Sequence, residues 1–404
     1  MMLGKITSHI RQYTLSEIVL FLFLLIFPFE KHVAVYALYV FFASILFSGS
    51  WSTFKLRLQQ NKTLLAMVGI YFLYLLGIVI DGEYNFAIEQ KVSLLVFPFA
   101  FFYAKIDFRK VYTKALFVYL FAASSSILFC FVVAFYRYAN TGDISYLFYD
   151  KLSFFIHAGY YAYYLCFAFA IAIEALLFHD FSTKKKILLF AAGMLLFMGL
   201  LFLTTKASLL AVSALLLFFG IKYVVVTKRW GNALIALLFV LAVFSVAYFE
   251  LPRLKERINT FFTSMQSNPK LADSTSSRKM IWNNALDLIA QKPFFGHGPH
   301  TNEVLFESYR KTGMMHEFSH RFNAHNEFLQ ILLVLGLAGF LLLILLLVIG
   351  FYSAWQSKDF LFFAFLLIVV FGFATESMLD TEAGILYFCF FYCFFTLSNT
   401  DVNA

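Results

Sequence analysis

The chain alternates between long apolar runs and short polar interruptions along almost its whole length. Twelve runs stand out, near 15–30, 33–49, 63–80, 92–104, 115–136, 157–178, 187–204, 207–226, 231–249, 326–352, 360–375 and 384–398. A helix of about 20 apolar residues crosses roughly 30 Å of hydrocarbon, so the pattern predicts an all-α polytopic membrane protein with about twelve transmembrane helices. The fourth run is short, and only Thr205-Lys206 separates the seventh from the eighth. One interruption is unlike the rest. Residues 250–325 are long and polar, and segments of this kind are usually functional. Within them Ser274-Thr275-Ser276-Ser277 offers N-caps for a helix running to Gln291 and stopped by Pro293 and Gly296. Its apolar residues Ile281, Ala285, Leu288 and Ile289 recur at helical spacing, which predicts that it lies against the bundle. Three segments follow: helices 1–9 over 1–249, a loop over 250–325, and helices 10–12 over 326–404.

Composition narrows the class further. With 62% hydrophobic and 13% charged residues, the chain is no soluble enzyme, disulfide scaffold or disordered polymer. The net charge of +8 points to topology rather than nucleic acid, because the cations sit between apolar runs instead of forming one face. Lys55, Arg57 and Lys62, then Lys105, Arg109, Lys110 and Lys114, then Lys184–Lys186, then Lys228 and Arg229 mark one set of connections. The other set is acidic or mixed: Asp81, Glu83 and Glu89, then Asp143 and Asp150, then Glu376, Asp380 and Glu382. The positive-inside rule makes the first set cytoplasmic. Both termini are then expected in the cytoplasm and the 250–325 loop on the extracytoplasmic side. The first run follows Lys5 and Arg11 but lacks a small-residue cleavage site, so it reads as a retained helix. All four cysteines (Cys130, Cys166, Cys389, Cys393) lie inside apolar runs and read as packing residues.

Candidate chemistry collects in the large loop, which holds His297, His300, His316, His320 and His325. His316-Glu317-Phe318-Ser319-His320 matches H-E-x-x-H, in which two imidazoles one helical turn apart bind zinc and the Glu activates water. That match supports a distant alternative, a membrane zinc metalloprotease using His316, Glu317 and His320. The other reading starts at His325-Asn326, at the outer mouth of an apolar helix. A histidine at that boundary suits a general base. Deeper in the same helix, Gly336 and Gly339 would let a neighbouring helix approach closely. The bland alternative is a polar cap on a tightly packed helix.

His325-Asn326-x9-Gly336-x-x-Gly339 resembles the signature of the O-antigen ligase family, which includes O-antigen polymerases and protein O-oligosaccharyltransferases. Arg278-x-x-x-Trp282 followed by Gly296-His297-Gly298 is similar to the family's periplasmic-loop pattern. Thr204-Thr205-Lys206-Ala207-Ser208, Glu89-x-Lys91-x-Ser93-Leu94-Leu95 and Glu376-Ser377-Met378-Leu379 also resemble family segments. The resemblance implies a GT-C-like glycosyltransferase that needs neither metal nor cofactor. It implies an undecaprenyl-diphosphate-linked glycan as donor, a hydroxyl of lipid A–core as acceptor, membrane lipid as surroundings, and attack at the anomeric carbon with inversion.

On that resemblance His325 is the expected base and Arg278 the expected grip on the diphosphate, since a guanidinium binds phosphate bidentately. Asn326, Lys206, Lys91, Trp282 and His297 are the expected substrate-binding residues. Lys206 stands where the family commonly has Arg. Trp282, Phe294, Phe295 and Tyr309 could stack on sugars or simply pack the loop. Glu376, Asp380 and Glu382 read as a solvated acidic connection, and the Phe-rich stripes at 97–102 and 388–395 as lipid-facing or core. No acceptor-specific motif separates a ligase from a polymerase.

Overall fold

The computed structural model describes residues 13–82, 87–231 and 274–400, with isolated positions between 234 and 259. The ninth expected span, 231–249, therefore lies largely outside the described residues. Every regular element described is helical. The first half comprises α1 (Leu15–Ile26), α2 (Lys31–Ser48), α3 (Trp51–Gln60), α4 (Leu64–Asp81), α5 (Ala87–Lys91), α6 (Ser93–Tyr103) and α7 (Phe108–Thr141). A short α8 (Tyr149–Leu152) leads into α9 (Ala158–Phe178), α10 (Thr183–Leu203) and α11 (Lys206–Thr227). The polar segment contributes α12 (Ser274–Gln291), α13 (Thr301–Lys311) and α14 (Met315–Ser319). The chain closes with α15 (Glu327–Gln356), α16 (Phe360–Thr375) and α17 (Glu382–Thr400).

Six of these helices (α7, α9, α10, α11, α15 and α17) are long and apolar enough to cross a membrane alone, and a seventh span results if α2 and α3 are one broken span. Helices α1, α4 and α16 are apolar but shorter. The protein is thus a multi-pass helical membrane protein.

Local chemistry explains the helix limits. Thr14 and Glu17 form a reciprocal capping box at the start of α1. Asp107, Asn326 and Asp359 each accept a backbone N–H at the N-termini of α7, α15 and α16. Between α2 and α3 the chain bends by 108°. Arg57, expected in a solvated connection, is instead buried on α3 and donates to the carbonyls of Phe101, Ala104 and Ile106. It satisfies the exposed C-terminal carbonyls of α6, which is only 11 residues long and contains Pro98.

The interior is aromatic. In α17 every residue from Gly384 to Ser398 is buried, so the 388–395 stripe is bundle core rather than lipid-facing surface. Phe391 packs against Tyr119, Phe167 and Phe365 with ring centroids 5.0, 4.8 and 5.8 Å apart. In the other stripe, Phe97, Phe101 and Phe102 are buried while Phe99 faces outward.

Helix α15 is the element that builds the site. It has 30 residues and α16 has 16, which corresponds to about 45 and 24 Å. The two are joined by a tight turn at one end, yet Asn326 bonds the Ala374 carbonyl at the other. A straight α15 would overshoot by roughly 20 Å. The chain resolves this with a break at Gly336 (φ 62°, ψ −157°), a conformation reserved for glycine. Beyond the break, residues 327–335 lean over towards the end of α16.

Candidate active site

The break leaves backbone groups of α15 without their helical partners. The loop following α12 supplies them. The N–H of His297 donates to Leu333 O at 2.6 Å, that of Gly298 to Val334 O at 3.0 Å, and that of Leu337 to Pro293 O at 2.9 Å. A Cβ at either Gly296 or Gly336 would strike the other strand's backbone. The glycine therefore admits a docked loop, where a neighbouring helix was expected. His297 is used here structurally as well, its Nε2 lying 2.8 Å from Leu288 O.

Docking fixes α12 against α15. Ile281, Ala285 and Leu288 are buried, as their spacing predicts. From the same helix Trp282 donates its Nε1–H to Ala324 O at 3.0 Å, while Ala324 N–H donates to Gln330 Oε1 at 3.1 Å. Both backbone polar groups of Ala324, the residue before His325, are thus held. His325 itself adopts φ 44°, a left-handed conformation unusual for a side chain with a Cβ.

Three successive residues then stitch the start of α15 to the turn after α16. His325 Nδ1 lies 2.9 Å from Glu376 Oε2, Asn326 Nδ2 donates to Ala374 O at 3.1 Å, and Glu327 Oε2 accepts the Leu379 N–H at 2.7 Å. Arg278, from α12, donates Nη2 to the other oxygen of Glu376 at 2.6 Å. Arg278 and His325, 47 residues apart in sequence, therefore share one carboxylate. Their side chains keep about a quarter of their surface exposed, so the cluster opens to solvent.

Burial pushes the Glu376 carboxyl upward, but the His325 hydrogen bond, the Arg278 charge, the His325 charge and the more distant His157 outweigh it, leaving it below the ordinary glutamate range. Glu376 is an ionised carboxylate at neutral pH. A carboxylate accepting from Nδ1–H leaves Nε2 of His325 as the proton-accepting nitrogen.

Lys91 is buried and ion-pairs with Asp380 while donating to Leu379 O at 2.6 Å. It braces the turn carrying Glu376 from below, and the Tyr74 ring lies 5.2 Å from its ammonium. Asn326 caps α15 through its oxygen, accepting Leu329 N–H at 3.1 Å. Lys206 opens α11, half-buried, just after the left-handed Thr204. Tyr309 is fully buried and packs the loop, whereas Phe294 and Phe295 are exposed.

His316 and Glu317 fall on the five-residue α14, and His320 is its C-cap. Glu317 turns inward and accepts from Ser277 Oγ at 2.5 Å, next to Arg278. The His316 and His320 rings lie 4.3 Å apart on the surface. Among the described residues no set of three His, Cys, Asp or Glu side chains is assembled to hold a metal.

A half-buried imidazole, carboxylate and guanidinium at one end of a helical membrane bundle define a polar site suited to proton transfer beside an anionic group. Residues 191–344 match the family model described as O-antigen ligase. The match contains Lys206, Arg278, Trp282, His325, Asn326 and the break at Gly336, and supports a ligase- or polymerase-type glycosyl transfer function in general. No curated protein matches the chain. Glu376 lies beyond the matched segment.

Proposed function

We propose that the protein is an O-antigen ligase of the bacterial inner membrane, with twelve GT-C-like spans and both termini cytoplasmic. It moves a glycan from undecaprenyl diphosphate to a hydroxyl of lipid A–core at the periplasmic face, with inversion and without a metal. The observation that carries this reading is the shared carboxylate: Glu376 holds Arg278 and His325 side by side.

The chemistry follows from that arrangement. The acceptor oxygen attacks the anomeric carbon as its proton passes to Nε2 of His325. The bond from that carbon to the diphosphate oxygen breaks, and its electron pair stays on the leaving diphosphate. Only Nη2 of Arg278 is engaged by Glu376, so the guanidinium's remaining N–H groups can meet the charge that develops on the leaving oxygens. Glu376 keeps the imidazole in the productive tautomer. Lys206 supplies a further cation towards the donor. Lys91, Trp282, Asn326 and His297 position these groups through the bonds described above.

An O-antigen polymerase or a protein O-oligosaccharyltransferase would use the same donor and the same three groups. The test is reconstitution of the purified protein with undecaprenyl-diphosphate glycan and lipid A–core in the presence of EDTA. Glycan on lipid A supports the ligase, and lengthened lipid-linked chains indicate a polymerase. Wild-type transfer by both His325→Ala and Arg278→Ala defeats the mechanism.

A further inference from the structure

A second polar cavity lies at the opposite end of the bundle from Glu376, where α9, α15 and α17 end and α7 and α16 begin. It is open, encloses about 300 Å³, and is lined by Arg109, Tyr112, Glu174, His179, Lys358 and Asp359, with Ser398 and Asn399 at its back. A volume of that size suits a small ligand. Tyr352 and Trp355 on the last turn of α15 are exposed, as aromatic residues at a membrane–water boundary are.

The charges are divided by depth. Arg109, His179 and Lys358 are exposed and form no ion pair with any described residue. Inside, Glu174 is already neutralised, because both its oxygens lie 2.7 Å from the Lys222 ammonium. That ammonium is held 3.8 and 3.9 Å from the Phe178 and Phe360 ring centres. Asp359 is different. Its Oδ1 accepts Tyr112 OH at 2.7 Å and Phe362 N–H at 3.0 Å, but its buried Oδ2 has no partner at hydrogen-bond distance among the described residues. The same holds for the buried Nδ2 of Asn399, whose side chain lies beside that carboxylate.

Arg109 and Lys358 against Asp359 leave one net positive charge before His179 is counted. An anion bearing a donor on its far side answers both features. Its charge meets the rim cations, and its donor reaches the orphaned carboxylate oxygen, whose isolation is costly. A metal ion would be repelled by the rim.

We propose that this cavity binds the headgroup of an anionic phospholipid whose alcohol carries free hydroxyls, as in phosphatidylglycerol. The phosphodiester sits between Arg109 and Lys358, and a headgroup hydroxyl donates to Asp359 Oδ2. On the orientation proposed above, this is a lipid of the cytoplasmic leaflet.

Native mass spectrometry of the full-length protein in defined lipid mixtures tests it. Wild type should retain one phosphatidylglycerol in preference to phosphatidylcholine. The double variant R109Q/K358Q changes only exposed side chains, and gel filtration verifies its fold. It should hold that lipid at least about tenfold more weakly, as the loss of charge-assisted bonds predicts. Asp359→Asn should weaken phosphatidylglycerol without changing phosphatidylcholine. Equal retention of the two lipids by wild type, or unchanged retention in R109Q/K358Q, overturns the proposal. Preference for phosphatidylethanolamine overturns the headgroup assignment. Displacement of bound lipid by an equal concentration of glycerol phosphate shows a soluble anion to be the occupant instead.

Discussion

Substituting Glu376 by Gln removes one charge while keeping the shape of the side chain, and its consequences can be worked out atom by atom. The carboxylate now accepts from Arg278 at 2.6 Å through Oε1 and from His325 at 2.9 Å through Oε2. A carboxamide has a single acceptor oxygen. If that oxygen stays with Arg278, the NH2 group faces His325 Nδ1, which must become an acceptor, and the ring proton moves to Nε2. That tautomer cannot take a proton from the acceptor hydroxyl. If the amide flips, NH2 confronts the guanidinium, donor against donor. Either way one charge-assisted bond is lost, worth about 1.5–3 kcal/mol. The catalytic loss should be larger, about 10²–10⁴-fold in turnover or roughly 3–5 kcal/mol, because the wrong tautomer removes the base altogether. The assay is glycan transfer in proteoliposomes, with donor concentration varied to separate kcat from KM. Turnover should fall with KM little changed, and melting temperature should drop only slightly. Glu376→Gln protein that turns over at the wild-type rate would refute the shared-carboxylate mechanism.

Other perturbations probe the supports of the site. Gly336→Ala forces a Cβ into the backbone of residues 294–296 and an unfavourable φ, costing about 1–3 kcal/mol in strain before loop displacement; limited proteolysis should then cut the 293–299 loop faster. Lys91→Met strands Asp380 without its cation and should destabilise by about 3–5 kcal/mol, seen as a lower melting temperature, with Lys91→Met/Asp380→Asn recovering most of it. The Glu376 carboxyl titrates below its ordinary value of 4.5, so its stabilising contribution is complete above about pH 4.5 and is lost as pH falls through the lowered native value. Unfolding measured from neutral pH into the acid range should therefore show a steeper loss for wild type than for Glu376→Gln.

Much of this architecture can be read from the sequence, because helices in a membrane announce themselves by length and apolarity. The stop of α12 and its buried face were equally legible. His325 and Arg278 were identifiable from their residue types and motif surroundings. Glu376 was not: its partners lie 51 and 98 residues away, and a carboxylate with no cation nearby in sequence reads as solvated. For the same reason Arg57 passed for a loop charge, though it folds back onto the end of α6. Local patterning reports which residues want burial or capping. It does not report which distant groups will meet, and a site is made of such meetings.

The loop seated on the break in α15 is held there by main-chain groups, the amides of His297 and Gly298 and the carbonyl of Pro293. Peptide groups are common to all residues, so this attachment is indifferent to most side chains between 293 and 300, Gly296, which admits the close approach, excepted. The exposed Phe294 and Phe295 can therefore be exchanged without detaching Arg278 from Glu376. The register of Arg278 against Glu376 is inherited from the backbone, while the surface beside them is left free to diversify.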